Sequence, residues 1–327
     1  MIMNICGEEY KKLAVYEQSI TIPDSFVLSD NKTGKGNGEA KLYMGSKDSM
    51  RMFYTGSRFN KGFKAKCFVL KKDLQRYLKT IEHEYRYPSI KYRGMGEKKS
   101  MHSLWLQRKQ CVESLDDILI FEVKDQDQIK GNRGYVNCKR RKRKSITGYD
   151  WVREILLPFV SYVSIMKVQK INSQEILFYW RPFADFTQMA SMQFYAQNYG
   201  KKKLKAETGR RRKQLQYREM LYQEFTHCPF SKIDDFRLLV ASHIKPYAVS
   251  TNSEKADPDN GLMLSPLYDK LFDRGFVSFE DDGTLMISDW LSEENKNRID
   301  FNYLIDDLKL NDKRRSYLEY HRNNVFK

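Results

Sequence analysis

The period of the apolar positions changes several times along the chain, and each change marks an element. Leu74, Tyr77, Leu78 and Ile81 recur at i, i+3, i+4 and i+7, which predicts an amphipathic helix over Asp73 to Glu84. Ser19 to Ile22 alternates as a strand does, and Lys41 to Thr55 and Phe63 to Leu70 read as further strands. Ile118 to Val123 is an apolar run that predicts a buried strand, and Glu175 to Phe186 predicts another. Ser29 to Ala40 is polar and glycine-rich, as loops are, and Tyr85 to Ser100 has little periodicity. Trp151 to Lys170 is apolar enough for a buried helix interrupted near Pro158. This half reads as α+β, without a fixed-period repeat.

The second half is sharper. Leu215, Met220, Leu221 and Phe225 predict a helix running to about Phe225. Leu238, Leu239 and Val240 form a short apolar run ending at Ser242-His243, which predicts a strand that delivers His243 at its end. Ala248 to Gly261 is polar, carries Pro258, Asn260 and Gly261, and reads as a loop. Ser265-Pro266 is a helix start, and Leu267, Leu271 and Phe272 follow at helical spacing. Asp269 and Asp273, four apart, therefore share one helix face. Phe276 to Phe279 and Leu285 to Ile287 flank Asp281-Asp282-Gly283 as a hairpin, and helices near Ser292 to Ile299 and Asp312 to Tyr320 close the chain.

Bulk properties narrow the class. At roughly 150 residues per domain, 327 residues suggest two domains. A hydrophobic fraction of 41% and an aromatic fraction of 13% suit folded domains rather than a disordered chain. Lys and Arg number 58 against 42 acidic residues, a net +16, which favours a polyanionic partner through release of phosphate counterions. The surplus is concentrated: Lys139, Arg140, Arg141, Lys142, Arg143 and Lys144 form one run, and Lys201, Lys202, Lys203, Arg210, Arg211 and Arg212 form a second cluster. Both are placed for phosphate contact, which positions a duplex without reading its sequence. The five cysteines contain no CxxC pair, which suits a reducing compartment and argues against a disulfide framework. No apolar run approaches the roughly 18 residues of a membrane span, and the start MIMNICGEEYKK lacks the layout of a secretory signal, so a cytoplasmic protein with no membrane partner is expected.

Three words of the second half, ASHIKPY (Ala241 to Tyr247), DPDNGLMLSP (Asp257 to Pro266) and DKLFDRG (Asp269 to Gly275), together resemble the HNH nucleases. Likeness is strongest to the HNH domains of bacterial restriction endonucleases and runs from about Arg210 to the tail YLEYHRNNVF. It implies an α+β protein with an N-terminal DNA-recognition domain (1–195) and a C-terminal ββα-metal nuclease domain (196–327). The implied activity is a sequence-specific type II endonuclease that cuts double-stranded DNA, leaving 5′-phosphate and 3′-hydroxyl ends. His243 corresponds to the general base, Asn260 to a residue that either coordinates metal or pins the loop, and Asp269 and Asp273 to metal ligands. Lys245 and Arg274 flank this site as candidate phosphate contacts.

Carboxylate ligands favour Mg²⁺, with Mn²⁺ as a substitute. The zinc knuckle of many relatives is reduced here to Cys228-Pro229-Phe230-Ser231, too few ligands for a structural zinc. Ser242 stands where many relatives carry an acidic or histidine ligand. A palindromic site and one strand cut per domain imply a homodimer, and the restriction setting implies a partner DNA methyltransferase. Two other readings are a modification-dependent nuclease, with Tyr85, Tyr87, Tyr92 and Trp105 around a flipped base, and a DNA-binding protein whose nuclease domain has decayed. Replacing Lys139 to Lys144 by alanine is expected to flatten the slope of log K against log salt by up to about 0.9 for each phosphate no longer neutralised. An unchanged slope would place the run away from DNA.

Overall fold

A computed structural model describes residues 1–16, 20–22, 40–42, 44, 47–89, 101–125, 134–136, 150–198, 214 and 216–327. The chain forms two compact units, Met1–Gln188 and Met189–Lys327.

Among its described residues, the first unit is built on a nine-stranded sheet: β1 (Ile2–Ile5), β2 (Glu8–Val15), β3 (Ile20–Thr21), β4 (Ala40–Leu42), β5 (Lys64–Leu70), β6 (Ile118–Asp125), β7 (Gly134–Val136), β8 (Ser161–Lys170) and β9 (Ile176–Ala184). The order is β1-β2-β8-β9-β5-β6-β7-β4, with β3 also on β8. Among the described residues only β5 and β9 pair in parallel, and the core beside β9 is aromatic: Trp180 of β9, Phe121 of β6 and Trp151 meet edge to face at 5.2–6.2 Å. Such T-shaped contacts suit the quadrupoles of the rings. Helix α2 (Lys71–Arg86) follows β5 directly and buries Leu74, Tyr77, Leu78, Ile81 and Tyr85, the stripe expected from their spacing. The Tyr77 hydroxyl ties this helix to Ser161 at 2.6 Å and to the Leu157 amide at 2.9 Å.

Two elements differ from the sequence expectation. Lys41 to Thr55 is not one strand: β4 stops at Leu42, and α1 (Lys47–Thr55) takes the rest. Met50 and Tyr54, four apart, are its buried apolar positions, Arg51 is buried beside them, and Gly56 ends the helix at φ +79°. Trp151 to Lys170 is not an interrupted helix either. Only Trp151–Ile155 coils, as a π-helical turn; an irregular stretch follows at 156–160, and Ser161–Lys170 is β8. Both faces of β8 are covered through most of its length, so its side chains lack the polar alternation that would have marked a strand. Helix α3 (Met101–Glu113) carries Trp105, whose indole donates to the Leu78 carbonyl at 2.8 Å. Trp105 and Tyr85 are core side chains and Tyr87 is exposed, while Tyr92 lies outside the described residues.

The second unit contains a helix at 216–224, the antiparallel pair β10 (Val240–His243) and β11 (Gly261–Leu264), helix α4 (Pro266–Asp273), the hairpin of β12 (Val277–Phe279) and β13 (Leu285–Ile287), and helices α5 (Glu293–Arg298) and α6 (Asp312–Asn324). Phe230 stacks on Tyr268 at 4.5 Å, and Phe272 stacks on His321 at 3.9 Å, joining α4 to the tail helix. His321 is a core residue whose two ring nitrogens meet the Ser278 hydroxyl and the Phe272 carbonyl, both at 3.0 Å. Cys228 is also buried, in a tight turn closed by Cys228 N to Ile233 O at 2.9 Å. Gly275 ends α4 at φ +68°, and a Cβ there would collide with the Val325 carbonyl, so the position needs glycine twice over.

In the first unit the buried pair Arg51–Asp125 joins α1 to β6 through contacts of 2.7 and 2.8 Å, with both side chains under 10% exposed. Removing one partner of such a pair leaves an uncompensated buried charge. Arg51→Met is expected to destabilise this unit by about 3 kcal/mol, read from its urea midpoint in the full chain. Adding Asp125→Leu should recover most of that loss. If the double variant is no more stable than Arg51→Met, the ion pair is not what holds α1 in place.

Candidate active site

The site is built on two short strands and the long loop between them. In the β10–β11 ladder Ser242 faces Leu262 and His243 faces Gly261. The ladder continues one step further, with Ile244 N donating to Asn260 O at 3.1 Å. The loop 244–260 would otherwise be a wide excursion, and a single buried carboxamide draws it together. The Asn260 side chain, 0% exposed, accepts from the Lys245 amide at 2.8 Å. Its Nδ2 donates to the carbonyls of Lys245 at 3.3 Å and Glu254 at 3.1 Å, and lies 3.4 Å from the Ser250 hydroxyl. Asn260 thus serves both ends of the loop. The structure places this carboxamide inside the loop rather than on the aspartate-bearing face of α4.

Pinning Glu254 fixes the next residue, and with it the imidazole. His243 Nε2 lies 3.2 Å from the Lys255 carbonyl. A carbonyl can only accept, so Nε2 carries the proton and Nδ1 is the basic nitrogen. Nδ1 has no hydrogen-bond partner among the described residues. Tyr217, from the 216–224 helix, stacks on the imidazole at 4.3 Å and 14°, and its hydroxyl donates to the Asn260 carbonyl at 2.9 Å. Tyr247 stands edge-on to the ring at 5.6 Å. Burial lowers the His243 pKa from its ordinary 6.5, and the nearby Lys255 charge adds to this against the raising effect of the carbonyl bond. The ring is therefore held neutral and ready to accept a proton.

Gly261 is required by this packing. A Cβ there would overlap the Tyr217 hydroxyl and press on Leu221.

The strand pleat turns Ser242 to the face opposite His243. There Asp269 accepts from the Ser242 hydroxyl, and the Asp269 pKa is raised, first by burial and then by the charge of Asp273 one turn on. Tyr268, Leu271 and Phe272 bury the other side of α4, which leaves the two aspartates on one face as their spacing requires. Among the described residues no cluster of three or more His, Cys, Asp or Glu is placed to hold a metal. The donors that do gather are two carboxylates and a hydroxyl. All are hard oxygens, and one or two carboxylates suffice for Mg²⁺ when water and substrate phosphate fill the remaining positions. The donor set fits a small hard cation.

Of the remaining candidates, Lys245 is ion-paired with Glu254 at 2.7 Å, and Arg274 caps the C-terminus of α4. The runs Lys139 to Lys144 and Lys201 to Lys203, and Arg210 to Arg212, lie outside the described residues.

Several residues that hold the site gave no local signal. Arg314, 0% exposed, makes a bidentate pair with Glu224 at 2.9 and 3.0 Å and reaches the Pro258 carbonyl at 3.3 Å. Tyr317 donates to Asp257 at 2.7 Å, Lys313 pairs with the same carboxylate at 2.7 Å, and Asn311 reaches Asp259 at 2.8 Å. Together they clamp the turn that presents Asn260. The only hint in the sequence is the i, i+3 spacing of Arg314 and Tyr317 on one helix face.

Residues 228–280 match the HNH_2 family, described as HNH endonuclease. The match spans His243, Asn260, Asp269 and Asp273. No curated protein matches the chain.

His243 is expected to titrate below 6.5 and to show the Nε2–H tautomer in ¹⁵N spectra, whereas an Nδ1–H ring would mean that the Lys255 carbonyl does not orient it. The sign for stability follows from the lowered value. The contribution of the neutral ring is complete above 6.5 and is lost as pH falls through the folded-state pKa.

Proposed function

We propose that the HNH endonuclease domain at residues 228–280 makes this chain a sequence-specific endonuclease of the type II restriction kind, hydrolysing double-stranded DNA. One observation carries the reading most: a half-buried imidazole whose tautomer is set by a backbone carbonyl, within the stretch that matches the family. The net charge of +16 supports a nucleic-acid substrate.

In this reading His243 Nδ1 takes a proton from water as the oxygen attacks phosphorus. The P–O3′ bond breaks, the 3′ oxygen leaves and gains a proton, and the products carry 5′-phosphate and 3′-hydroxyl. The Lys255 carbonyl steadies the imidazolium as it forms, and Tyr217 holds the ring plane. Asn260 acts by positioning the loop. Asp269, Asp273 and the Ser242 hydroxyl would hold the divalent ion. When bound, that ion supplies Lewis-acid polarisation of a phosphate oxygen and stabilises the leaving oxygen. The first unit would recognise the site, two protomers would cut the two strands, and a cognate methyltransferase would protect the host.

EDTA should abolish cleavage, and Mg²⁺ or Mn²⁺ should restore it. His243→Ala should slow cutting by about 10²-fold or more, with DNA affinity within a few fold of wild type. Asp269→Ala should instead raise the metal concentration needed for activity. The wild-type rate should fall as pH drops below 6.5, where the ring protonates. His243→Ala cutting at the wild-type rate would overturn the mechanism.

A further inference from the structure

Three cations that touch the His243 loop are paired with carboxylates. Lys245 is paired with Glu254, Lys313 with Asp257, and Arg314 with Glu224. Lys255 has no carboxylate partner among the described residues. Its ammonium lies 4.6 Å from the centroid of the Tyr247 ring, and that same ring is edge-on to the His243 imidazole at 5.6 Å. The carbonyl of Lys255 is the acceptor that orients His243. One residue therefore sets the base with its backbone and holds a cation on a shared aromatic neighbour with its side chain. A partly buried charge without a counter-ion is costly, so the arrangement makes sense where an anion is brought to it. Burial also lowers the Lys255 pKa, the mark of an ammonium already stripped of part of its hydration.

We propose that the Lys255 ammonium is a substrate contact that binds a phosphate oxygen of the DNA backbone next to the attack site, with the exposed Tyr247 ring as its platform. This rests on the nuclease reading. A lysine in such a place acts as a point charge. It attracts the diester and opposes the extra negative charge that develops on the phosphate oxygens during attack, from a position already organised before substrate arrives. Lys245, the neighbouring cation, is spent on Glu254 and does not do this.

The test compares Lys255→Met, which keeps the stem on Tyr247, with Lys255→Arg, which keeps the charge. Both leave the backbone carbonyl of position 255 in place to orient His243. On supercoiled plasmid with Mg²⁺, Lys255→Met should cut about 10²-fold more slowly, the usual loss for one transition-state donor, and Lys255→Arg should stay within about tenfold of wild type. Fluorescence anisotropy with a labelled duplex in EDTA gives an independent measure: Lys255→Met should reduce the slope of log K against log salt by about 0.9. An unchanged slope overturns the proposal, as do equal losses for the two variants, which would make the side chain packing rather than charge. If wild type fails to cut any DNA, the nuclease reading falls, and the slope still decides whether Lys255 touches phosphate.

Discussion

The carboxamide of Asn260 closes a loop of 17 residues, 244–260, onto the end of a two-stranded ladder, and the rest of the site depends on that closure. A loop of that length has a large entropy to lose, and short strands offer few ladder bonds to offset it. A buried side chain that bonds backbone at both ends of the loop supplies the missing bonds where water cannot compete. Removing it would strand the Lys245 amide and the carbonyls of Lys245 and Glu254 without these partners. The functional consequence lies one residue further on, because the carbonyl of Lys255 sets which nitrogen of His243 is basic.

That loop is braced from two sides by helices distant in sequence. Tyr217 bonds the Asn260 carbonyl and stacks on the imidazole, so the loop position and the ring plane share one buried aromatic residue. Arg314 carries the bracing further: its guanidinium, fully buried on Phe225, ties Glu224 of the same helix to the Pro258 carbonyl. A buried arginine is costly unless its donors are met, and here a bidentate carboxylate and backbone carbonyls meet the two terminal NH2 groups, while Nε–H has no partner among the described residues. The tail helix is thus part of the scaffold of the His243 loop rather than an appendage.

The two faces of one strand end divide the chemistry. The pleat sends His243 toward Tyr217 and Ser242 toward Asp269, so the imidazole and the carboxylates occupy separate surroundings. Burial acts in opposite directions on them in terms of pKa, lowering the imidazole and raising the Asp269 carboxyl. In both cases it favours the neutral form. For the imidazole this is the form that can accept a proton. For Asp269, made harder to ionise by Asp273, it is a state that a cation would reverse.

What the sequence alone determined was mostly local and periodic. The 3.6-residue stripe of Leu74, Tyr77, Leu78 and Ile81 became α2, and the i, i+4 aspartates share a face of α4. His243 ends its strand as its place after the apolar run implied, although the strand begins only at Val240 and Leu238 lies in a 3₁₀ turn. Three separated words sufficed to suggest the nuclease family, since each carries a residue type that the chemistry needs. Tertiary structure decided what periodicity could not encode. β8 is covered on both faces, so its apolar run could equally have been a buried helix until its pairing with β9 settled the matter. Asn260 had two open roles in the sequence, and only the backbone groups brought to it by loop closure gave its carboxamide an address. Arg314, Tyr317 and Tyr217 lie 43 to 60 residues from the loop residues they bond, a distance at which no local pattern carries information. Their contributions exist only once the chain is folded, because hydrogen bonds and ring stacking depend on positions in space and not on spacing along the chain.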